Sequence, residues 1–146
     1  MRHSPRDTIV ALATPNAPGD RAIIRLSGPS AAEAVRAVFH PADALPSRNR
    51  LIHGRIRLSG VHSTLPAILY FFAAPRSYTG QDVAEFHVVS CPPLVEQLIA
   101  DLLRAGCRAA LPGEFTQRAF LSGKLDLTRA EAIHAVIEAG NRSDLK

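Results

Sequence analysis

Three charged residues stand where their neighbours argue against them. Arg25 interrupts the apolar run AIIRL, and Glu85 lies inside VAEFHVV. Lys124 sits on the turn between two helix signals in PGEFTQRAFLSGKLDLTRAEAI, Pro112 to Ile133. Strand side chains alternate, so Val83, Glu85 and His87 share one face, as do Ile23, Arg25 and Ser27. A buried charge without a partner is strongly destabilising, so Arg25 and Glu85 must face water, each other or a ligand. Two arrangements satisfy this: an Arg25–Glu85 ion pair on a solvated sheet face, or a polar ligand held between carboxylate and cations. Lys124 is near Arg118 and Arg129 in sequence. Held between two helix ends it can meet an anion, and otherwise it is a solvated lysine on a helix corner.

The elements that must position these groups follow from periodicity. TIVALA (Thr8–Ala13) and AIIRL (Ala22–Leu26) read as strands joined through TPNAPGD, a hairpin or neighbouring pair. After Ser-Gly-Pro, Ser30 and Glu33 form a capping box, and Ala31, Ala34, Val35, Val38 and Phe39 recur at helical spacing. A proline-bearing loop covers about His40 to Asn49, and Leu51–Leu58 alternates as a strand with one wet face. LPAILYFF (Leu65–Phe72) is expected as a central strand buried on both faces, and VAEFHVV as another strand. Pro92-Pro93 opens a helix with Leu94, Val95, Leu98, Ile99, Leu102 and Leu103 on its apolar face, stopped by Gly106. Cys107–Leu111 suits a short strand. Gly113-Glu114 opens a further helix ended by Gly123, and Thr128 with Glu131 caps the last one, whose stripe is Ile133, Val136, Ile137 and Gly140. This order is no repeating βαβ pattern. It predicts an α+β fold with a mixed, mainly antiparallel sheet and helices packed on it.

Composition narrows the function classes. The chain has 146 residues, 47% hydrophobic and 21% charged, enough for one globular core. No apolar run approaches the ~20 residues of a membrane span, and no signal-peptide pattern follows MRHSPRD, so a cytoplasmic location is expected. The net charge of +4 comes from scattered arginines and does not choose between RNA and a small anion. The two cysteines, Cys91 and Cys107, are expected as reduced, buried thiols. His53, His62, His87 and His134 lack metal-ligand spacing and are expected at the surface or hydrogen-bonded; no metal site is expected. The sequence contains no phosphate loop, nucleophile elbow or dinucleotide fingerprint, so no catalytic residue is assigned.

DTIVALATP, AIIRLSGPSA, APRSYTGQDVAEF and PGEFTQRAFLSGKLDLTRAEAI together resemble, in order and spacing, the N-terminal part of the MnmE (also called TrmE) tRNA modification GTPases. The resemblance covers essentially the whole chain. It implies the fold of the folate-binding domain of the glycine-cleavage aminomethyltransferases, a homodimer, and a bound tetrahydrofolate derivative (5-formyl- or 5,10-methylene-tetrahydrofolate). The family's folate-contacting arginine, glutamate and lysine fall on Arg25, Glu85 and Lys124. The family's reaction, performed with the flavoprotein MnmG, adds an aminomethyl-type group at carbon 5 of the wobble uridine of certain tRNAs. Its GTP, Mg2+ and K+ are bound outside the part that this chain resembles. The resemblance divides the chain into a folate-binding and dimerisation domain, residues 1–124, and the first helix of a helical domain, residues 125–146.

The chain departs from the family in two turns. NAPGDRA replaces a glycine-rich stretch, and VVSCPP replaces an H-G-G-P turn after the glutamate strand. Three readings therefore stay open: the folate-binding, dimerising module of such a GTPase; a stand-alone folate-binding or one-carbon transfer protein; and a dimerisation domain with a decayed pocket. Whether the chain is an excised domain or a short relative is open with them.

Overall fold

A computed structural model describes residues 3–41, 45 and 48–139. Its strands are β1 (Ile9–Leu12), β2 (Gly19–Ser27), β3 (Phe39–His40), β4 (Arg50–Ile56), β5 (Leu65–Phe72), β6 (Val83–Ser90) and β7 (Arg108–Ala109). Its helices are α1 (Ala31–Val38), α2 (Pro92–Arg104), α3 (Glu114–Leu121) and α4 (Leu127–Ala139). The strands form one seven-stranded sheet in the order β3-β4-β5-β6-β2-β1-β7. Every neighbouring pair is antiparallel except β1 with β7 at one edge. The expected α+β, mainly antiparallel architecture is the one found, and β1 and β2 do form a hairpin.

α1 and α2 pack together over one face of the sheet. Ile24 and Leu26 of β2, Ala84 and Phe86 of β6, and Leu69 of β5 point into that layer and are essentially inaccessible. Val35 of α1 and Leu98 and Leu102 of α2 meet them. Burying each such aliphatic side chain contributes about 1.5–3 kcal/mol, and this layer is what fixes the direction in which Arg25 and Glu85 must point. Two of the helices stop the same way. Gly106 and Gly123 have φ of +103° and +78°. The amides that follow them, of Cys107 and Lys124, donate back to Leu102 and Ala119. These are glycine-dependent Schellman ends.

The structure corrects several local expectations. Phe39, placed in the helical stripe, is extended (φ −113°, ψ 141°) and begins β3, where it is fully buried. β5 is buried on one face only: Ala67, Leu69 and Phe71 are enclosed, whereas Ile68, Tyr70 and Phe72 are half-exposed because α1 and α2 cover a single side. Ser30 occupies the start of α1 but makes no side-chain cap; instead its own amide donates to Thr8 Oγ1 at 2.8 Å. α4 begins one residue earlier than Thr128, and its cap is Asp126, whose Oδ1 accepts from the Arg129 amide at 2.8 Å. Cys107 is buried but Cys91 only half-buried, both as free thiols. Burial pushes the Cys107 thiol up to about 11. Part of the His40–Asn49 loop, and Gly140 with the six residues after it, lie outside the described residues.

Candidate functional site

Arg25 and Glu85 are cross-strand partners on β2 and β6. Both point away from the α1/α2 layer. Arg25 Nε donates to Glu85 Oε1 at 3.0 Å, with the two side chains 32% and 18% exposed. The ion pair drawn from strand alternation therefore exists. It also lines a cavity of about 220 Å³ together with Phe72, Tyr78 and Val83. The guanidinium stands over the ring of Phe115 on α3, 5.7 Å from its centroid, within the range of a cation–π contact. Tyr78 is fixed from the same helix by a 3.0 Å hydrogen bond between its hydroxyl and that of Thr116.

Lys124 is exposed and is not among the residues lining this cavity. It stands beside the loop that carries Tyr78: a Cβ added at Gly80 would lie 3.7 Å from Lys124 Cε and 2.9 Å from Ser122 Cβ. The structure thus brings Arg25 and Glu85 into contact and places Lys124 one loop away.

Sequence reasoning missed the group that holds α3 and this loop in place. Arg118, only 4% exposed, reaches inward from α3. Its Nη1 donates to the carbonyls of Asp7 and Ser27 and to Gln81 Oε1, at 2.7, 3.3 and 2.9 Å. Its Nη2 donates to Ser4 O and to Glu114 Oε2, at 3.2 and 3.1 Å. Arg108 grips both oxygens of Glu114 at 3.0 and 2.7 Å and also reaches Asp7 at 3.0 Å. Burial alone would raise the Glu114 pKa. The hydrogen bonds from Arg108 and the Leu111 amide, with the charges of Arg108 and Arg118, outweigh that and bring it to about 2. Asp7 is also held below the usual carboxylate value, first by the Ser4 amide and then, against desolvation, by Arg108.

Gln81 continues the network into the cavity loop. Its amide donates to Thr79 Oγ1 at 3.2 Å, and Ser27 Oγ donates to its Oε1 at 3.0 Å. Thr79 then donates to Ser27 across 2.7 Å, which closes a ring of two hydroxyls and Gln81. The only sequence signal for this cluster was the i,i+4 spacing of Glu114 and Arg118, which ordinarily marks a solvated helix face.

No group of three or more histidine, cysteine or acidic residues suited to a metal occurs among the described residues. Nor, among them, is any helix long and apolar enough to cross a membrane. What the site can do is bind: a carboxylate and a guanidinium at one cavity, apolar walls, and a nearby ammonium.

Comparison with known proteins adds the family context. A family model described as the GTP-binding protein TrmE N-terminus matches residues 8–124, most of the chain. The tRNA modification GTPase MnmE of Thermotoga petrophila is 43% identical over 140 residues, covering 96% of this chain and 31% of that protein. The protein of the same name from Heliobacterium modesticaldum is 42% identical over 144 residues, 95% of this chain and 31% of its own length. That of Chlamydia trachomatis serovar A is 42% identical over 135 residues, 92% of this chain and 30% of its own. The chain spans less than a third of these curated relatives.

Proposed function

The chain belongs to the family of N-terminal domains of the GTP-binding protein TrmE, and from that premise we propose that it is the tetrahydrofolate-binding, dimerising module of an MnmE-like tRNA modification GTPase. The observation that carries the reading is the Glu85 carboxylate, oriented by Arg25 at the wall of a 220 Å³ cavity. That volume is below the ~300–1,000 Å³ of pockets that enclose whole drug-sized ligands, so it suits one ring system with a tail outside. A pterin presents an N3–H and a 2-amino group side by side, and one carboxylate can accept from both. Arg25 and Lys124 then face the ligand's carbonyl oxygens or the carboxylates of its glutamyl tail. The folate would supply the one-carbon unit for aminomethyl-type modification at carbon 5 of the wobble uridine. The tRNA, the MnmG-like flavoprotein and GTP would be engaged by the full-length enzyme.

Dimerisation is supported by the sheet face that α1 and α2 leave open. Leu51 and Val89 point to that side and are 42% and 52% exposed. The division into a folate domain, residues 1–124, and the start of a helical domain is supported by α4, where no residue is buried.

Calorimetric titration of 5-formyltetrahydrofolate into the purified chain tests the central reading. Saturable binding is expected in the wild type, and Glu85→Ala is expected to abolish it with the far-UV circular dichroism spectrum unchanged. No heat in the wild type would favour the decayed-pocket reading, and retained affinity in Glu85→Ala would remove Glu85 as the acceptor.

A further inference from the structure

Glu85 does not meet its cavity as a bare carboxylate. Oε1 accepts from Arg25 Nε at 3.0 Å, and Oε2 lies 3.2 Å from Nε2 of His87. His87 follows two positions along β6, so both side chains leave the strand on the same face. The imidazole is only 10% exposed, and its ring lies against Tyr70 of β5 with centroids 4.3 Å apart. Its other nitrogen, Nδ1, is buried and has no hydrogen-bond partner among the described residues. A proton on Nδ1 would be stranded there, whereas a proton on Nε2 meets a carboxylate. The tautomer follows: Nε2–H donates and Nδ1 is a bare acceptor.

A carboxylate offers about four lone-pair positions. Arg25 occupies one on Oε1 and His87 one on Oε2, which leaves one on each oxygen. We propose that His87 is a positioning residue for the Glu85 acceptor. Wedged by Tyr70, its Nε2–H fixes the plane of the carboxylate so that the two remaining lone pairs receive two adjacent ring donors. The ligand class is a heterocycle with an N–H beside an exocyclic amine, such as a 2-amino-4-oxopyrimidine edge. This deepens the folate reading of the same site and rests on it. The terminal torsion of a glutamate is broad, and losing a hydrogen bond to a charged acceptor that orders it corresponds to about a tenfold loss of affinity or more.

The test compares His87→Phe, which keeps an aromatic ring for Tyr70 but lacks the donor, with His87→Gln, which keeps an N–H donor. In calorimetric titrations with 5-formyltetrahydrofolate, His87→Phe is expected to bind about tenfold more weakly and His87→Gln within about threefold of wild type. Wild-type affinity in His87→Phe, or equal losses in both variants, would overturn the proposal. A second measurement needs no ligand: imidazole 15N NMR of the wild type and of Glu85→Gln. The Nε2–H tautomer is expected at His87, with its resonance shifted in Glu85→Gln and those of the other five histidines unmoved. An Nδ1–H tautomer, or a resonance indifferent to Glu85→Gln, would refute it. If the wild type fails to bind folate, the functional reading falls, and the NMR comparison still decides whether His87 holds Glu85.

Discussion

At Gly28 the chain takes φ +147°, and an added Cβ would stand 2.5 Å from Thr8 Cα and 2.6 Å from Thr8 Oγ1. Backbone is being met there, so neither neighbour can move aside cheaply. Thr8 Oγ1 is already engaged by the Ser30 amide, and the contact joins the end of β2 to the start of β1. Gly28→Ala should therefore lower stability by about 2–3 kcal/mol, seen as a fall of about 5–10 °C in the thermal midpoint. A midpoint within 1 °C of wild type would show that the approach relaxes. Ser-Gly-Pro separates a strand from a helix start in the sequence, but nothing local to it names Thr8, twenty residues earlier. Arg25 and Glu85 were legible for the opposite reason. A charge inside an apolar strand is a local contradiction, and alternation alone tells which way it points. His87, one face-mate further on, carried no such contradiction, since histidine is ordinary at a strand's margin.

The element that backs two of the cavity's lining residues is α3, through Phe115 at Arg25 and Thr116 at Tyr78, and its own attachment is largely electrostatic. Glu114 sits between two arginines, and Arg118 binds three separate segments of backbone or loop. Because the folded-state pKa of Glu114 is depressed to about 2, its stabilisation is complete above the ordinary carboxylate range and is lost as the pH falls from near 4.5 through 2. The loss should approach about 3 kcal/mol, at up to ~1.4 kcal/mol per pH unit. Denaturant unfolding between pH 6 and pH 2 (on the order of the carboxylate range) should show this slope, and Glu114→Gln should flatten it while lowering stability at neutral pH. Removing Arg118 should cost more, about 3–5 kcal/mol, because Arg118→Ala removes five hydrogen bonds from a buried site, to Ser4 O, Asp7 O, Ser27 O, Gln81 Oε1 and Glu114 Oε2, and leaves Glu114 to Arg108 and the Leu111 amide. Hydrogen exchange would then report opening of α3 and of the loop around Thr79 and Gln81; exchange confined to the chain termini would contradict the anchoring role. The sequence concealed this cluster because its members are scattered. Nothing local to Asp7, Arg108 or Glu114 marks them as partners, and the β1–β7 pairing brings them together.

On the scale of the whole molecule, the pattern of strands and helices was readable because one face of the sheet is buried and its alternation is strong. It faltered where tertiary context overrides local signal, as at Phe39, where a residue with helical spacing is drawn into the sheet edge. It also overstated β5, since an almost wholly apolar strand reads as buried on both sides even when helices cover one. The apolar stripe read in the last helix raised a different question, and the answer lies in packing. α4 has no buried residue, and Val136 is 61% exposed and Ile137 40%. Its contacts run mainly to α3, with His134 and Ile137 beside Gly113. A helix with so little enclosed surface adds little to the cooperative unit. A chain ending at Lys124 should thus unfold in one transition, with a midpoint within about 2–4 °C of the longer form and about 1 kcal/mol of its stability. Val136→Asp should change stability by less than about 0.5 kcal/mol. A shortened chain that loses its cooperative transition would show α4 to be part of the first domain's core and would move the proposed boundary beyond residue 124. Unchanged unfolding would leave the helix's exposed apolar side chains without a structural task inside this domain, as expected of the beginning of a second one.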